Sequence, residues 1–314
     1  MKKLLIILAV TMTVSLGIAT LVMVVTGNFT VGTEKIDESK TFNSEEISEI
    51  EVNLVSTDLN IIPTSEGEIV VHFHGEVSTN LKRNIPEMVA YKTGDKLYVE
   101  TLRNRDIVIG INISRTIMDI YIPESRLEEF KINIVSGDIK IQQLAAEKIS
   151  IGSTSGEVIV NNTTSAEIYI ETISGDTKIE QLEAKQIRIG STSGEIIVND
   201  YTGSIDAGSI SGDISLIGGS NNENIDAVTI SGEIIVDQDF VSDMNLESKS
   251  GDVKVRLPED SQFYLKIKTV SGDIKNNFSM KISSSGRREL EGIVGDGGGK
   301  IIISNISGEV IIDY

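Results

Sequence analysis

A hydroxyl, a glycine and a carboxylate stand side by side at Ser155–Gly156–Glu157, inside "STSGEVIV", and again at Ser193–Gly194–Glu195, inside "STSGEIIV". A serine beside a carboxylate is material for nucleophilic catalysis, and clustered carboxylates are ligands for a hard cation. A catalytic motif is needed once, but here Ser-Gly-acid begins at Ser136, Ser155, Ser174, Ser193, Ser211, Ser231, Ser250, Ser271 and Ser307, with gaps of 19, 19, 19, 18, 20, 19, 21 and 36 residues. A fixed period of this size marks a repeat architecture rather than an active site. The collective chemistry left to the motif is a ladder of acids at Asp138, Glu157, Asp176, Glu195, Asp213, Glu233, Asp252, Asp273 and Glu309, a candidate row of Ca²⁺ sites. The competing reading is turn chemistry, in which Ser and short acids accept hydrogen bonds from turn N–H groups.

Other chemistry is sparse. "HFH" puts His72 and His74, the two histidines of the chain, on one face of a strand, where they could share a metal, but no third ligand is evident in the sequence. "GDGGGK" at Gly295–Lys300 fails the phosphate-loop pattern at both ends and reads as a glycine-rich turn. No G-x-S-x-G elbow occurs, and a regular ladder offers no distinguished carboxylate pair, so a polysaccharide-active enzyme ranks third among the functions considered. No catalytic residue and no cofactor other than Ca²⁺ is expected. Cysteine is absent, which excludes disulfides and thiolate sites.

The elements that position the motif follow from its flanks. Short runs of alternating β-branched residues ("KINIV", "IYIETI") lead into each Ser-Gly-acid, and others ("EVIVNN", "EIIVND") leave it. Period-two alternation signals strands. The glycines Gly137, Gly156, Gly175, Gly194, Gly212, Gly232, Gly251, Gly272 and Gly308 are placed for a sharp bend between them. Each unit is therefore strand, Ser-Gly corner, strand and a looser polar turn such as "QQLAAEK". The fold class is all-β, a single β-solenoid with coils of about 19 residues, whose stacking at about 4.8 Å would make ten coils a rod of roughly 48 Å. "SSGRREL", with Ser285-Gly286-Arg287, reads as a degenerate copy, and Ser56-Thr57-Asp58 as an outlying copy without its glycine. Residues 131–160 and 169–198 match at 19 of 30 positions, and the acid alternates between Asp and Glu from Asp138 to Asp252. The duplicated unit was thus a pair of coils. With aromatic residues at 4% and no Trp, the core must be built from Ile, Val and Leu.

The N-terminus begins Lys2-Lys3, followed by 22 uncharged residues from Leu4 to Val25, enough for a spanning helix. The run is long for a signal peptide and ends without a small-residue cleavage site, which favours an uncleaved anchor with the bulk of the chain exported. The expected organisation is an anchor at 1–26, a polar stalk at 27–42, irregular N-terminal coils with an inserted hairpin at 43–130, and the regular solenoid at 131–314. A formal charge of -19 argues against nucleic acid and against direct docking on anionic polymers.

The recurring "ISGD" and "TSGE" units behind an N-terminal apolar segment resemble the bacterial β-strand-repeat putative-adhesin family, a domain of unknown function that includes LiaG-type proteins of envelope-stress operons. The resemblance covers residues 42–314. It implies a surface-exposed β-solenoid and supplies no catalytic residues. The expected role is adhesion or scaffolding at the cell envelope, with a glycan or membrane protein as partner and the membrane contacted through residues 4–25. The alternative is an accessory regulator of envelope-stress signalling.

Overall fold

The computed structural model describes Met12, Ser15 and residues 33–78, 85–102, 114–124, 126–219 and 223–314. In chain order the strands are β1 (Thr33–Asn43), β2 (Glu49–Ser56), β3 (Asp58–Thr64), β4 (Glu68–Ser78), β5 (Glu87–Thr93), β6 (Lys96–Leu102), β7 (Ser114–Pro123), β8 (Leu127–Ser136), β9 (Ile139–Ile141), β10 (Leu144–Ser155), β11 (Val158–Ser174), β12 (Thr177–Ser193) and β13 (Ile196–Ser211). They continue as β14 (Ile214–Gly219), β15 (Ile225–Ser231), β16 (Ile234–Gln238), β17 (Met244–Ser250), β18 (Val253–Arg256), β19 (Phe263–Ser271), β20 (Ile274–Asn276), β21 (Met280–Gly286), β22 (Glu289–Val294), β23 (Gly299–Ser307) and β24 (Val310–Asp313). The fold is all-β and solenoid-like. A single 3-10 turn at Ser44–Glu46 interrupts the strands early on.

Two parallel ladders carry the coils. One stacks β6, β2, β8, β10, β11, β12, β13, β15, β17, β23 and β19 in that order. The other stacks β7, β3, β9, β11, β12, β13, β14, β16, β18, β24 and β20. Each Ser-Gly-acid joins a strand of the first ladder to one of the second. The side chains pointing inward form rows such as Ile132, Ile151, Ile170, Ile189, Ala207, Ala227 and Leu246, all buried. The core of the regular coils is the expected Ile, Val and Leu. The buried phenylalanines collect towards the ends, with Phe73 and Phe130 near one and Phe263 and Phe278 at the other, while Tyr201 is buried in the middle coils.

The order of coils in space departs from their order in sequence at both ends. The last coil, β23–β24, lies between β17–β18 and β19–β20, so Ser307 sits between Ser250 and Ser271. At the N-terminal end β2–β3 lies between the later β6–β7 and β8–β9, with Ser56 in register with Ser136. The outlying Ser56-Thr57-Asp58 is thus a true corner. The closing strands do not end the solenoid but slot into it. Antiparallel strands cover the outermost coils: β5 on β6, β4 and then β1 on β7, and β22 with β21 on β19. They protect edges that would otherwise pair with another chain.

Three expectations are corrected here. Residues 33–42 are not stalk, because β1 pairs along its whole length with β4. Its side chains are almost all exposed, so main-chain bonds hold it and hydrophobic periodicity is silent. Ser285–Gly286 is no coil corner but the end of the β21–β22 hairpin, with open space where a Gly286 Cβ would stand. The looser polar turn is, in the middle coils, no break at all. β11, β12 and β13 run 16 or 17 residues straight through it by placing Asn162, Gln181 and Asp200 at positive φ of 46°, 59° and 52°.

At the Ser-Gly corner the constraint is proximity. A Cβ on Gly194 would lie 2.2 Å from the carbonyl oxygen of Gly175, and one on Gly175 would lie 2.0 Å from that of Gly156. Neither glycine is among those with positive φ, so the expected bend is not what demands them; coil-to-coil contact is. Replacing Gly194 with Ala should therefore lower unfolding stability by about 2 kcal/mol or more. Gly208→Ala, with nothing within 4 Å of its Cβ, should change it by less than about 0.5 kcal/mol. Urea midpoints of the two variants check this pair.

Candidate functional site

The corner is a three-part ladder. On its inner side the residue two before the motif serine is polar and buried from the Ser155 corner onward: Ser153, Thr172, Ser191, Ser209, Thr229, Ser248 and, in the last coils, Asn305 and Thr269. Four of these groups serve the glycine carbonyls that the stacking crowds, whereas Ser153 donates to Ser155 O and the hydroxyls of Ser209 and Thr269 are buried without a partner. Thr229 Oγ1 donates to Gly212 O at 3.2 Å, Ser248 Oγ to Gly232 O at 3.2 Å, and Asn305 Nδ2 to Gly251 O at 2.8 Å. The motif serine contributes its main-chain carbonyl, which accepts the glycine N–H of a neighbouring coil, as from Gly232 to Ser250 at 3.0 Å. The buried hydroxyl was missed in the sequence because it sits two positions before the motif, in the Ser-x-Ser-Gly and Thr-x-Ser-Gly context.

The acids have two different roles. Each Asp oxygen accepts the N–H of the next coil's acid: Glu157 N–H to Asp138 Oδ1 at 3.0 Å, Glu195 to Asp176 at 2.9 Å, Glu233 to Asp213 at 2.7 Å and Glu309 to Asp252 at 2.8 Å. Asp58 receives the Asp138 N–H in the same way at 3.0 Å. The glutamates instead reach lysines two residues past the neighbouring Asp: Lys178 to Glu157 at 2.7 Å, Lys275 to Glu309 at 2.5 Å, and Lys254 to Glu233. Hydrogen bonding to these glutamates holds the three ammonium groups above their ordinary range. Beside Glu195 the position equivalent to these lysines, two past Asp213, is Ser215. Among the described residues no three ladder oxygens come within 4.8 Å of one another, and one oxygen of Asp138 and of Asp213 already accepts a main-chain N–H.

The outer side of the same corner is apolar. The residue just before the motif serine is exposed and aliphatic in most coils: Val55, Val135, Ile173, Ile210, Ile230, Ile306 and Val270. Two positions further back stand Asn133, Gly152, Glu171, Gly190 and Gly208, three of them glycine. The ridge and this low row bound a groove of about 1050 Å³ that crosses the coils from Asn53 to Ile230 and also takes in Glu100, Thr154 and Thr192.

The other candidates are placed as follows. His72 and His74 lie together on β4 in the N-terminal cap, 29% and 31% exposed, and β7 supplies the third ligand that the sequence did not reveal, Asp119. Gly295–Lys300 is the turn from β22 into the inserted β23. Cβ atoms on Gly298 and Gly299 would meet Gln262 O at 2.4 Å and Ser242 O at 2.9 Å, so the glycines let the chain pass between neighbouring segments. The segment Leu4–Val25, apart from helical Met12 and Ser15, lies outside the described residues, as do 103–113. Among the described residues no helix is long and apolar enough to cross a membrane.

The Toastrack DUF4097 family profile matches residues 47–313. The chain belongs to this family. Among solved structures the Toastrack chain is similar to a putative adhesin from Bacteroides fragilis (12% identity, 90% of this chain and 99% of that one, TM-score 0.44). It is also similar to a putative lipid binding protein from Parabacteroides distasonis (14% identity, 88% and 96%, TM-score 0.47). A third is a putative cell adhesion protein from Clostridium sporogenes (15% identity, 89% and 99%, TM-score 0.23). No curated protein matches the Toastrack chain.

The split of roles between Asp and Glu is testable. Asp213→Ala should cost about 1 kcal/mol by removing the acceptor of the Glu233 N–H, whereas Asp213→Asn, which keeps an oxygen in place, should cost less than half of that. Chemical denaturation of both variants measures the difference.

Proposed function

We propose that this protein is a membrane-anchored, extracytoplasmic binding scaffold of the cell envelope that holds a neutral, repeating glycan in the groove beside the Ser-Gly corners. The groove carries this reading. It repeats two positions along the coils: the residue before the motif serine, aliphatic at Val135, Ile173 and Ile210 for the C–H faces of sugar rings and a hydroxyl at Thr154 and Thr192, and the residue two back, where Asn133 and Glu171 can meet the sugar hydroxyls. The charge of -19 disfavours anionic polymers, which leaves an uncharged chain as the natural occupant. Leu4–Val25 would hold the scaffold to the membrane, with Lys2 and Lys3 on the cytoplasmic side. No catalytic role is part of the proposal.

Retention of the full-length chain, purified in detergent, on neutral and anionic envelope polysaccharides tests it. The neutral polymer should retain the protein, and Ile173→Asp combined with Ile210→Asp should reduce the retained fraction at least tenfold without unfolding it. Equal retention of the variant, or preference for the anionic polymer, would contradict the proposal. Exchange of Leu4–Val25 for an unrelated anchor should leave binding intact; loss on that exchange would favour the regulatory alternative.

A further inference from the structure

The two histidines of the chain meet on the cap formed by β1, β4 and β7. As i and i+2 on β4 they share a face, and their rings stack with centroids 4.6 Å apart. Antiparallel pairing brings one carboxylate from each flanking strand. Asp119 of β7 lies opposite His72, and Asp37 of β1 lies opposite His74. The contacts cross diagonally: His72 Nε2 is 2.8 Å from Asp37 Oδ1, and His74 Nε2 is 2.9 Å from Asp119 Oδ2. Ligand atoms of His72, His74 and Asp119 all lie within 4.8 Å of one another. The second oxygen of Asp119 accepts a hydrogen bond from Asn60 Nδ2 at 2.7 Å, which fixes the carboxylate as outer partners of metal ligands do.

We propose that His72, His74 and Asp119 bind a first-row divalent transition metal, Zn²⁺ by donor type, with the exposed Asp37 carboxylate swinging in from beside His72 as the fourth ligand. Two imidazoles and two carboxylates suit a tetrahedral zinc site with bonds of about 2.0–2.2 Å, whereas Ca²⁺ and Mg²⁺ take all-oxygen shells. Two carboxylates also match the charge of the ion. The site would tie together three strands from separate parts of the chain. It matters most for β1, which buries only Ile36 and is the strand that follows the N-terminal segment. The ion would act as a clamp where the chain enters the cap.

The full-length protein, purified in detergent and stripped with a chelator, is titrated with Zn²⁺ by calorimetry and with Co²⁺ by visible absorption. One ion per chain and the strong d–d bands of tetrahedral Co²⁺ are expected. His74→Gln and Asp119→Asn should each weaken binding at least about tenfold, and Asn60→Ala by about tenfold. Circular dichroism reports that each variant keeps its strands; the partial exposure of both histidines makes this the expected result. The proposal is overturned if the stripped protein takes up no Zn²⁺. It is also overturned if folded His74→Gln and Asp119→Asn bind Co²⁺ with the affinity and spectrum of the parent.

Discussion

The contact on which this molecule depends is the approach of one corner glycine to the carbonyl of the next. From Gly137 through to Gly272, a Cβ at each Ser-Gly corner would stand 1.9–2.3 Å from a main-chain oxygen of the adjacent coil. Strands about 4.8 Å apart can turn in step only if nothing protrudes there. The other corner residues follow from this. A crowded carbonyl needs a donor, which the inner row of Ser, Thr and Asn supplies. The N–H of the following acid needs an acceptor on a short arm, which Asp has and Glu lacks. The glutamates of alternate coils are then free to reach the neighbouring lysines.

The same contact explains the ends. Along the sequence the alternation of Asp and Glu fails, because Asp252 is followed by Asp273 and then Glu309. In space it is kept at this end of the stack. β23–β24 inserts Glu309 between Asp252 and Asp273, where its N–H meets Asp252 and its carboxylate meets Lys275. The two-coil chemistry thus specifies which coil may stand beside which. The glycines from Gly295 to Gly299 give the returning chain room to enter. At the other end β2–β3 is likewise one coil in from the edge, under β6–β7. Among the described residues neither the first nor the last coil of the sequence is outermost, and antiparallel strands lie on the outermost coils.

Much of this was legible in the sequence. Repeat spacing and period-two alternation revealed the parallel coils, and the composition revealed the Ile, Val and Leu core, because both depend on local pattern. What escaped were features that depend on partners. β1 has one buried side chain and so no pattern to read. Asp119 joins His72 and His74 only through an antiparallel register 45 to 47 residues away. The groove arises because the exposed residue before the motif serine is aliphatic, which a solvent-facing position on a strand does not suggest. The order of the last coils was in fact signalled, by the gap of 36 residues together with the break in alternation, and both point to a coil that returns out of turn.

The central claim is that the corner ladder is continuous in space and not in sequence. Glu247, Ser304 and Lys268 are exposed, with Ser304 directly beside each of the other two. The chain has no native cysteine, so engineered pairs report without interference. Under mild oxidation Glu247→Cys with Ser304→Cys should close a disulfide, since adjacent strands put the Cα atoms at about 5 Å. Glu247→Cys with Lys268→Cys, two strands and roughly 10 Å apart, should not. Closure of the second pair and failure of the first would mean that the coils stack in chain order and would contradict the account.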